Sequence, residues 1–247
     1  MDVPLRLSDG REIAVAFVRH PRARRIKLSV DERGARLSVP ARAGERAALA
    51  FLHAQREWLE AQLARLEDDT AFAFRIGVAR ALPLRGDALP LRWRSARLTR
   101  IVADADDACF EVRGLDALAG QPPTPAVQRA LRDFYEARAR ADIARWQPRH
   151  LAGLPRSPAR IALKRMSSQW GSLSGRGTMA LDLSLVLARP AAFEYVLVHE
   201  LCHLLHADHS PAFWAAVESR FPGWRDERAW LNAEGRRIKA TMRALTG

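Results

Sequence analysis

Apolar and polar residues alternate along the first part of the chain in the way that β-strands require. The alternation runs through residues 26–30 and 37–39 around a turn at Glu32-Arg33-Gly34, which predicts a β-hairpin. Residues 45–66 then carry apolar side chains at a period of 3.6, which predicts one helix. Residues 74–113 return to short strand patterns, so we expect a β-rich region with a single helix.

Residues 114–125 are rich in Gly and Pro and are the best candidate for a linker. We therefore predict a β-rich N-terminal region over residues 1–125 and a second domain over residues 126–247. The sequence shows no internal repeat. No apolar run approaches the length of a membrane span and the N-terminus lacks a signal-peptide pattern, so we expect a soluble, cytoplasmic protein without membrane contact.

The second domain begins with a helix predicted over residues 126–146. Strands are predicted at residues 161–163 and 179–181, on either side of a polar loop that contains Trp170. A helix should then run from Pro190 to about His206. Two more helices follow, and the first has Ser at its N-cap and Pro at its first helical position, both of which are favoured there.

The helix that begins at Pro190 is apolar nearly all round, as is typical of a helix in a core. Its polar residues form one stripe, Tyr195, His199, His203 and His206. The segment 199–203 reads HExxH, in which two histidines four residues apart can reach one metal ion and the glutamate beside them can deprotonate metal-bound water. Buried imidazoles need partners, so the stripe predicts a metal site rather than a hydrogen-bonded histidine cluster.

Zinc requires a third protein ligand and an open position for water, and His206 and His209 compete for the third place. While the helix continues, His206 lies about 10.5 Å along the axis from His199, which is too far for both to bind one ion. His209 follows a break in the helix and directly precedes the next N-cap. The spacing therefore favours His199, His203 and His209 as ligands, with Glu200 as the catalytic base.

The stretch VHELCHLLHADHSPAFW lies between QWGSLSGRGTMALDLSLVLARP and PGWRDERAWL. Together they resemble the YgjP-like metallohydrolases and, more distantly, are similar to the SprT-like metalloproteases, whose eukaryotic relatives digest DNA–protein crosslinks. The resemblance implies a zincin-like α+β fold and the same ligands and base. The family usually has Arg-Trp-Gly-Ser-Cys where residues 169–173 here read Gln-Trp-Gly-Ser-Leu, and usually has Asn where Asp182 stands.

These residues predict a Zn²⁺-dependent metallopeptidase that cleaves a protein or peptide substrate, with Glu200 passing a proton from water to the leaving amine. Tyr195, His206 and Trp170 are candidates for contacting the substrate or supporting the ligands. Tyr195 and His206 are also candidate oxyanion donors.

Two other functions share part of this pattern. A metal-dependent nuclease is the first, because H-x3-H-x5-H spacing also occurs in bacterial rRNA-maturation endoribonucleases, although that family typically has Gly after the first His. The second is a nucleic-acid-associated binding protein with a structural zinc. Such zinc sites usually have four protein ligands and are rich in Cys, whereas Cys202 points away from the histidine stripe.

The net charge of +12 is unevenly distributed along the chain. Residues 1–65 carry 13 basic and 8 acidic side chains, residues 126–190 carry 12 and 4, and residues 191–247 carry 7 of each. Such a field attracts polyanions, so DNA is a candidate partner. In that case one basic surface should contain Arg22, Arg24, Arg25, Lys27, Arg156, Arg160, Lys164 and Arg165.

Overall fold

The computed structural model describes residues 2–31, 34–69, 74–104 and 106–247. The chain forms two compact units, Met1–Ala71 and Phe72–Gly247. Each unit combines helices with a mixed β-sheet, which confirms the α+β fold class. None of the helices in the described ranges is long and apolar enough to cross a membrane.

The first unit contains a four-stranded sheet formed by β1 (Asp2–Arg6), β2 (Glu12–His20), β3 (Lys27–Asp31) and β4 (Gly34–Pro40). The strand order is β1-β2-β4-β3, with β2 and β4 parallel and the outer pairs antiparallel. The pairing of β3 with β4 confirms the predicted hairpin, whose turn residues Glu32 and Arg33 lie outside the described residues.

The helix predicted over residues 45–66 is divided in the structure into α1 (Glu45–Ala54) and α2 (Arg56–Asp69). The division falls at Gln55, whose N–H caps the end of α1 by bonding to two carbonyl oxygens of that helix. Both helices still place apolar side chains in the core of this unit, whose fully buried members include Val15, Leu37, Val39, Leu52 and Leu59.

The second unit begins with another four-stranded sheet, formed by β5 (Ala81–Leu84), β6 (Asp87–Ser95), β7 (Arg100–Ala103) and β8 (Ala108–Val112). Helices α3 (Leu115–Leu118) and α4 (Pro125–His150) follow. A small sheet then has the order β10-β11-β9, from β9 (Arg160–Lys164), β10 (Gly171–Leu173) and β11 (Thr178–Asp182). The chain continues through a 3₁₀ helix (Leu183–Leu187), α5 (Pro190–Cys202), α6 (Pro211–Arg220) and α7 (Trp224–Thr246).

The two four-stranded sheets share one topology, so the expectation of no internal repeat does not hold. The second sheet has the order β5-β6-β8-β7, with β6 and β8 parallel and the outer pairs antiparallel, as in the first sheet. Val3-Pro4-Leu5-Arg6 in β1 corresponds to Leu82-Pro83-Leu84-Arg85 at β5. Unequal loops hide the repeat, since five residues join β1 to β2 and only two join β5 to β6.

The division after residue 71 differs from the boundary predicted at residue 125. The N–H of Ile76 donates to the carbonyl of Gln121, and the N–H of Gly120 donates to the carbonyl of Ile76. These bonds tie the segment that was expected to be a linker to the start of the second unit. The strands β5–β8 also contribute apolar side chains to the same core as α4 and α5, so they belong to the second unit.

Candidate metal centre

The helix that carries the HExxH motif ends earlier than predicted. Helix α5 stops at Cys202 and His203 is its C-cap. The N–H groups of Leu205 and His206 both bond to the carbonyl oxygen of Cys202, at 3.0 and 3.1 Å, which tightens the last turn as helix ends commonly do. The helix ends there, and His209 comes back beside His199 and His203.

The histidine cluster consists of His199, His203 and His209, and one ring nitrogen of each lies within 4.8 Å of the others. The Nε2 atoms of His199 and His209 are 3.1 Å apart. Nitrogen ligands of a tetrahedral zinc ion lie about 3.4 Å from one another, given Zn–N bonds of 2.0–2.1 Å. The three residues predicted as ligands therefore come together at a spacing that fits a divalent ion.

Burial of His199 and His203 favours the neutral imidazole, which is the form that binds metals. Burial lowers the pKa of His199 to about 3, and burial also lowers the pKa of His203. The Nδ1 of His203 donates to the backbone carbonyl of His206 at 3.0 Å, which leaves Nε2 of His203 available to a metal. The Nδ1 of His199 is buried and has no hydrogen-bond partner among the described residues.

His206 takes part in the centre only through that backbone carbonyl. Its imidazole belongs neither to the histidine cluster nor to the wall of the adjacent cleft. The earlier end of α5 explains this difference from the predicted stripe, because His206 no longer follows the helical period that aligns Tyr195 with His199.

Glu200 lies beside the histidine cluster and is almost completely buried. Its Oε2 has no hydrogen-bond partner in the described part of the chain, and burial raises the pKa of this carboxyl to about 8. A side chain on Gly171 would meet it, because an added Cβ would lie 2.5 Å from Oε1 of Glu200. Glu200 is thus confined between α5 and β10, and a cation bound nearby would favour its ionised form.

Helix α6 and its cap fix the position of His209. The Ser210 hydroxyl accepts a hydrogen bond from the N–H of Phe213, which confirms the predicted N-cap. The Phe213 ring stacks on His203 at 4.5 Å between centroids, and the Trp214 ring lies 5.7 Å from both His199 and His209. This aromatic layer limits the access of water to the imidazoles from that side.

A cleft of about 590 Å³ opens over the histidine cluster and Glu200. Trp170 and Tyr195 both line it, so two of the three predicted accessory residues face the centre. The hydroxyl of Tyr195 makes no hydrogen bond to any described residue, and burial raises its pKa to about 12. Arg228 and Asn232 of α7 also line the cleft, although no motif in the sequence pointed to them.

Strand β10 lines the cleft, and within the described residues its edge opposite β11 pairs with no other strand. It is an outer strand of its sheet. Even-numbered residues at its two ends bond to the β11 side, because the N–H of Asp182 donates to the carbonyl of Trp170 and the N–H of Ser174 donates to the carbonyl of Thr178. In an antiparallel pair only alternate residues direct their backbone groups toward the partner strand, so the N–H and C=O groups of the odd-numbered Gly171 and Leu173 point away from β11. A glycine inside a strand often marks a site where another group approaches the backbone closely, and this is the sequence signal that could have identified Gly171 as part of the centre.

Comparison with known proteins identifies one family. The profile described as "YgjP-like, metallopeptidase domain" matches residues 24–234. A solved structure with similarity to the chain is the crystal structure of the metallopeptidase zymogen of Pyrococcus abyssi abylysin. It is 22% identical, the match covers 40% of this chain and 93% of that chain, and the TM-score is 0.32. No match was found among curated proteins.

Proposed function

The chain belongs to the YgjP-like metallopeptidase family, and we propose that it is a zinc-dependent peptidase of the HExxH type. The observation that carries the proposal is the buried Glu200 carboxylate, which has a free oxygen beside three clustered imidazoles at an open cleft. His199, His203 and His209 would hold the ion. When bound, zinc would polarise the scissile carbonyl and acidify a water molecule.

Glu200 moves the proton in this proposal. Its carboxylate accepts a proton from water in the cleft and later donates it to the leaving amine. Burial of the carboxyl favours the protonated form, so Glu200 can retain the proton until the amine departs. The Tyr195 hydroxyl lines the cleft and has no acceptor within the described residues, so it can donate a hydrogen bond to the oxyanion that forms on the substrate.

The open edge of β10 supports a peptide substrate over a nucleic acid. An extended peptide could pair with the N–H and C=O groups of Gly171 and Leu173 as an added strand. Such pairing would place a peptide bond beside the histidine cluster without requiring a particular side chain. A purely structural zinc site is less consistent with the described residues, because their histidine cluster has three ligands rather than four and faces a cleft.

Zinc content tests the ligand set. Purified protein should hold about one zinc per chain, measured by inductively coupled plasma mass spectrometry, and His199→Ala, His203→Ala and His209→Ala should each lower that content. His206→Ala is the matched control and should retain the metal, because only its backbone contributes. Loss of zinc from the His206→Ala protein together with full occupancy in His209→Ala would contradict the assignment.

Peptide hydrolysis tests the role of Glu200. Glu200→Gln should lower turnover of a quenched fluorescent peptide library by about 100-fold or more while zinc content stays unchanged, because the near-isosteric amide cannot accept the proton. Circular dichroism and zinc analysis of the same sample serve as controls for folding. Normal turnover by the Glu200→Gln protein would remove Glu200 from the mechanism.

A further inference from the structure

Arg228 is an exposed cation without an anionic partner at the wall of the cleft. Within the described residues its guanidinium has no ion pair and no hydrogen bond. Two neighbouring arginines on or near α7 do have partners, since Arg225 pairs with Glu218 and Arg189 pairs with Glu227. Arg228 therefore differs from these neighbouring arginines in having no carboxylate partner among the described residues.

Aromatic rings hold the Arg228 guanidinium in place. Its Cζ lies 5.2 Å from the centroid of the Trp214 ring and 6.0 Å from that of Trp224, and these two rings stack on each other at 4.3 Å. Cation–π contacts restrict the side chain without neutralising its charge. Because the Trp214 ring also contacts His199 and His209, this support connects Arg228 directly to the histidine cluster.

Arg228 lines the same cleft as His199, Glu200 and His209, so its positive charge lies beside the proposed centre. Asn232 lies four residues further along α7, on the same helical face, and its amide has no hydrogen-bond partner among the described residues. Glu200 is the single acidic side chain among the described lining residues, and Arg156 is the other cation.

We infer that Arg228, with Asn232 beside it, binds a carboxylate of the peptide substrate and gives the enzyme a preference for acidic peptides. A guanidinium pairs with a carboxylate through two parallel hydrogen bonds, and the Asn232 amide can donate another. The carboxylate belongs either to an Asp or Glu side chain or to the C-terminus of the substrate. The inference rests on the proposed peptidase function and adds the class of substrate to it.

Binding to the zinc-loaded Glu200→Gln protein tests this inference without turnover. The probes are capped Ala/Ser hexapeptides that carry one Asp or one Asn at each position in turn, and the Asn series with a free C-terminal carboxylate. We expect at least one acidic peptide to bind about 10- to 100-fold more tightly than its neutral counterpart, the range for one charge-assisted contact. The Asp series and the free-terminus series distinguish the two sources of the carboxylate.

Substitutions on α7 assign the preference to Arg228. In the Glu200→Gln background, Arg228→Gln should remove the preference and leave the affinity for neutral peptides within about twofold, and Arg228→Lys should retain part of it. Arg237→Gln is the matched control, because Arg237 lies on the same helix, pairs with Glu234 and does not line the cleft. Zinc content should be equal in all four proteins.

Several outcomes would overturn the inference. They are equal affinity for acidic and neutral peptides, an equal loss of both in Arg228→Gln, or loss of the preference in Arg237→Gln. If Arg228→Gln does not fold, a full preference in Arg228→Lys would contradict bidentate binding.

Cleavage by the wild-type enzyme separates the two proposals. Turnover without an acidic preference contradicts only this inference, whereas acidic binding without turnover of any peptide contradicts only the peptidase function.

Discussion

At the scale of single residues, the closest approach in the centre is between Gly171 and Glu200. An added Cβ at Gly171 would lie 2.6 Å from Cγ and 2.7 Å from Cδ of Glu200, distances that Cβ contacts do not normally reach. Glu200 is buried on α5 and cannot move away without displacing its neighbours. The absence of a side chain at position 171 is therefore a condition for the position of the Glu200 carboxylate.

Gly171→Ala should lower peptide turnover by about tenfold or more without changing zinc content. The methyl group would push the Glu200 carboxylate out of line with the substrate, and small misplacements of a catalytic group cost large factors in rate. Gly175→Ala is the matched control, because an added Cβ there meets nothing within 4 Å and its backbone has no positive φ. Equal turnover by the Gly171→Ala and wild-type proteins would show that Glu200 tolerates displacement.

Sequence reasoning at this scale succeeded where the signal was local. His199 and His203 lie four residues apart on a helix, so their spacing alone predicts a shared face with Glu200 beside it. Gly171 and Arg228 reach the centre through tertiary contacts from positions about 30 residues before and after it. No spacing rule joins them to the HExxH segment, so only the folded structure brings them into the cleft.

At the scale of elements, a buried ion pair joins α7 to the end of β11, and its ammonium also bonds to the loop before β10. Nζ of Lys239 lies 3.3 Å from Oδ2 of Asp182 and donates to the carbonyl oxygens of Met166 and Gln169. The same ammonium lies 4.4 Å from the centroid of the Trp170 ring. Asp182, which stands where the family usually has Asn, thus has a cationic partner in Lys239. The Asp182–Lys239 pair holds the loop that leads into β10.

Lys239→Met should destabilise the protein by about 3 kcal/mol, because it leaves the buried Asp182 carboxylate without its counter-ion. Adding Asp182→Asn should recover most of the loss, since the uncompensated charge is then removed. The midpoints of urea unfolding for the two single variants and the double variant form a mutant cycle that measures this coupling. Additive effects of the two substitutions would contradict an interaction between them.

The predicted elements agree with the structure where the pattern is long enough to carry a period. Strands β9 and β11 and helices α4 and α6 lie where periodicity and capping residues placed them. Strand β10 has three residues, too few to show alternation, and it was predicted as a loop. The end of α5 was misplaced because apolar residues continue to Leu205, although the backbone bonds close the helix at Cys202.

At the scale of the whole molecule, the chain combines a small sheet unit with a larger unit that holds the complete histidine cluster. Each unit contains a four-stranded sheet of the same topology, but α4 packs on the sheet of the larger unit and extends its core to α5 and α7. Composition could not locate the division, because the Gly- and Pro-rich segment is bound by backbone hydrogen bonds rather than forming a linker.

The basic side chains of the first unit lead to a prediction about DNA, which no comparison addresses. Arg24, Arg25 and Lys27 are exposed and have no ion pair within the described residues. If these cations contact phosphates, affinity for duplex DNA should fall steeply with salt, because each neutralised phosphate releases counter-ions. Replacing all three by Glu should weaken binding and reduce the magnitude of the slope of log K against log salt by about 2.7, at 0.9 per contact.

Fluorescence anisotropy with a labelled duplex at several salt concentrations measures this slope, and zinc analysis confirms that the metal centre is retained. The matched control replaces Arg97, Arg113 and Arg129 by Glu, which changes the net charge equally at exposed positions of the second unit. Sequence preference should be weak, because phosphate contacts position a protein on DNA without reading bases. An equal loss of affinity in both triple variants would mean that only the net charge matters, and that residues 24–27 form no specific DNA contact.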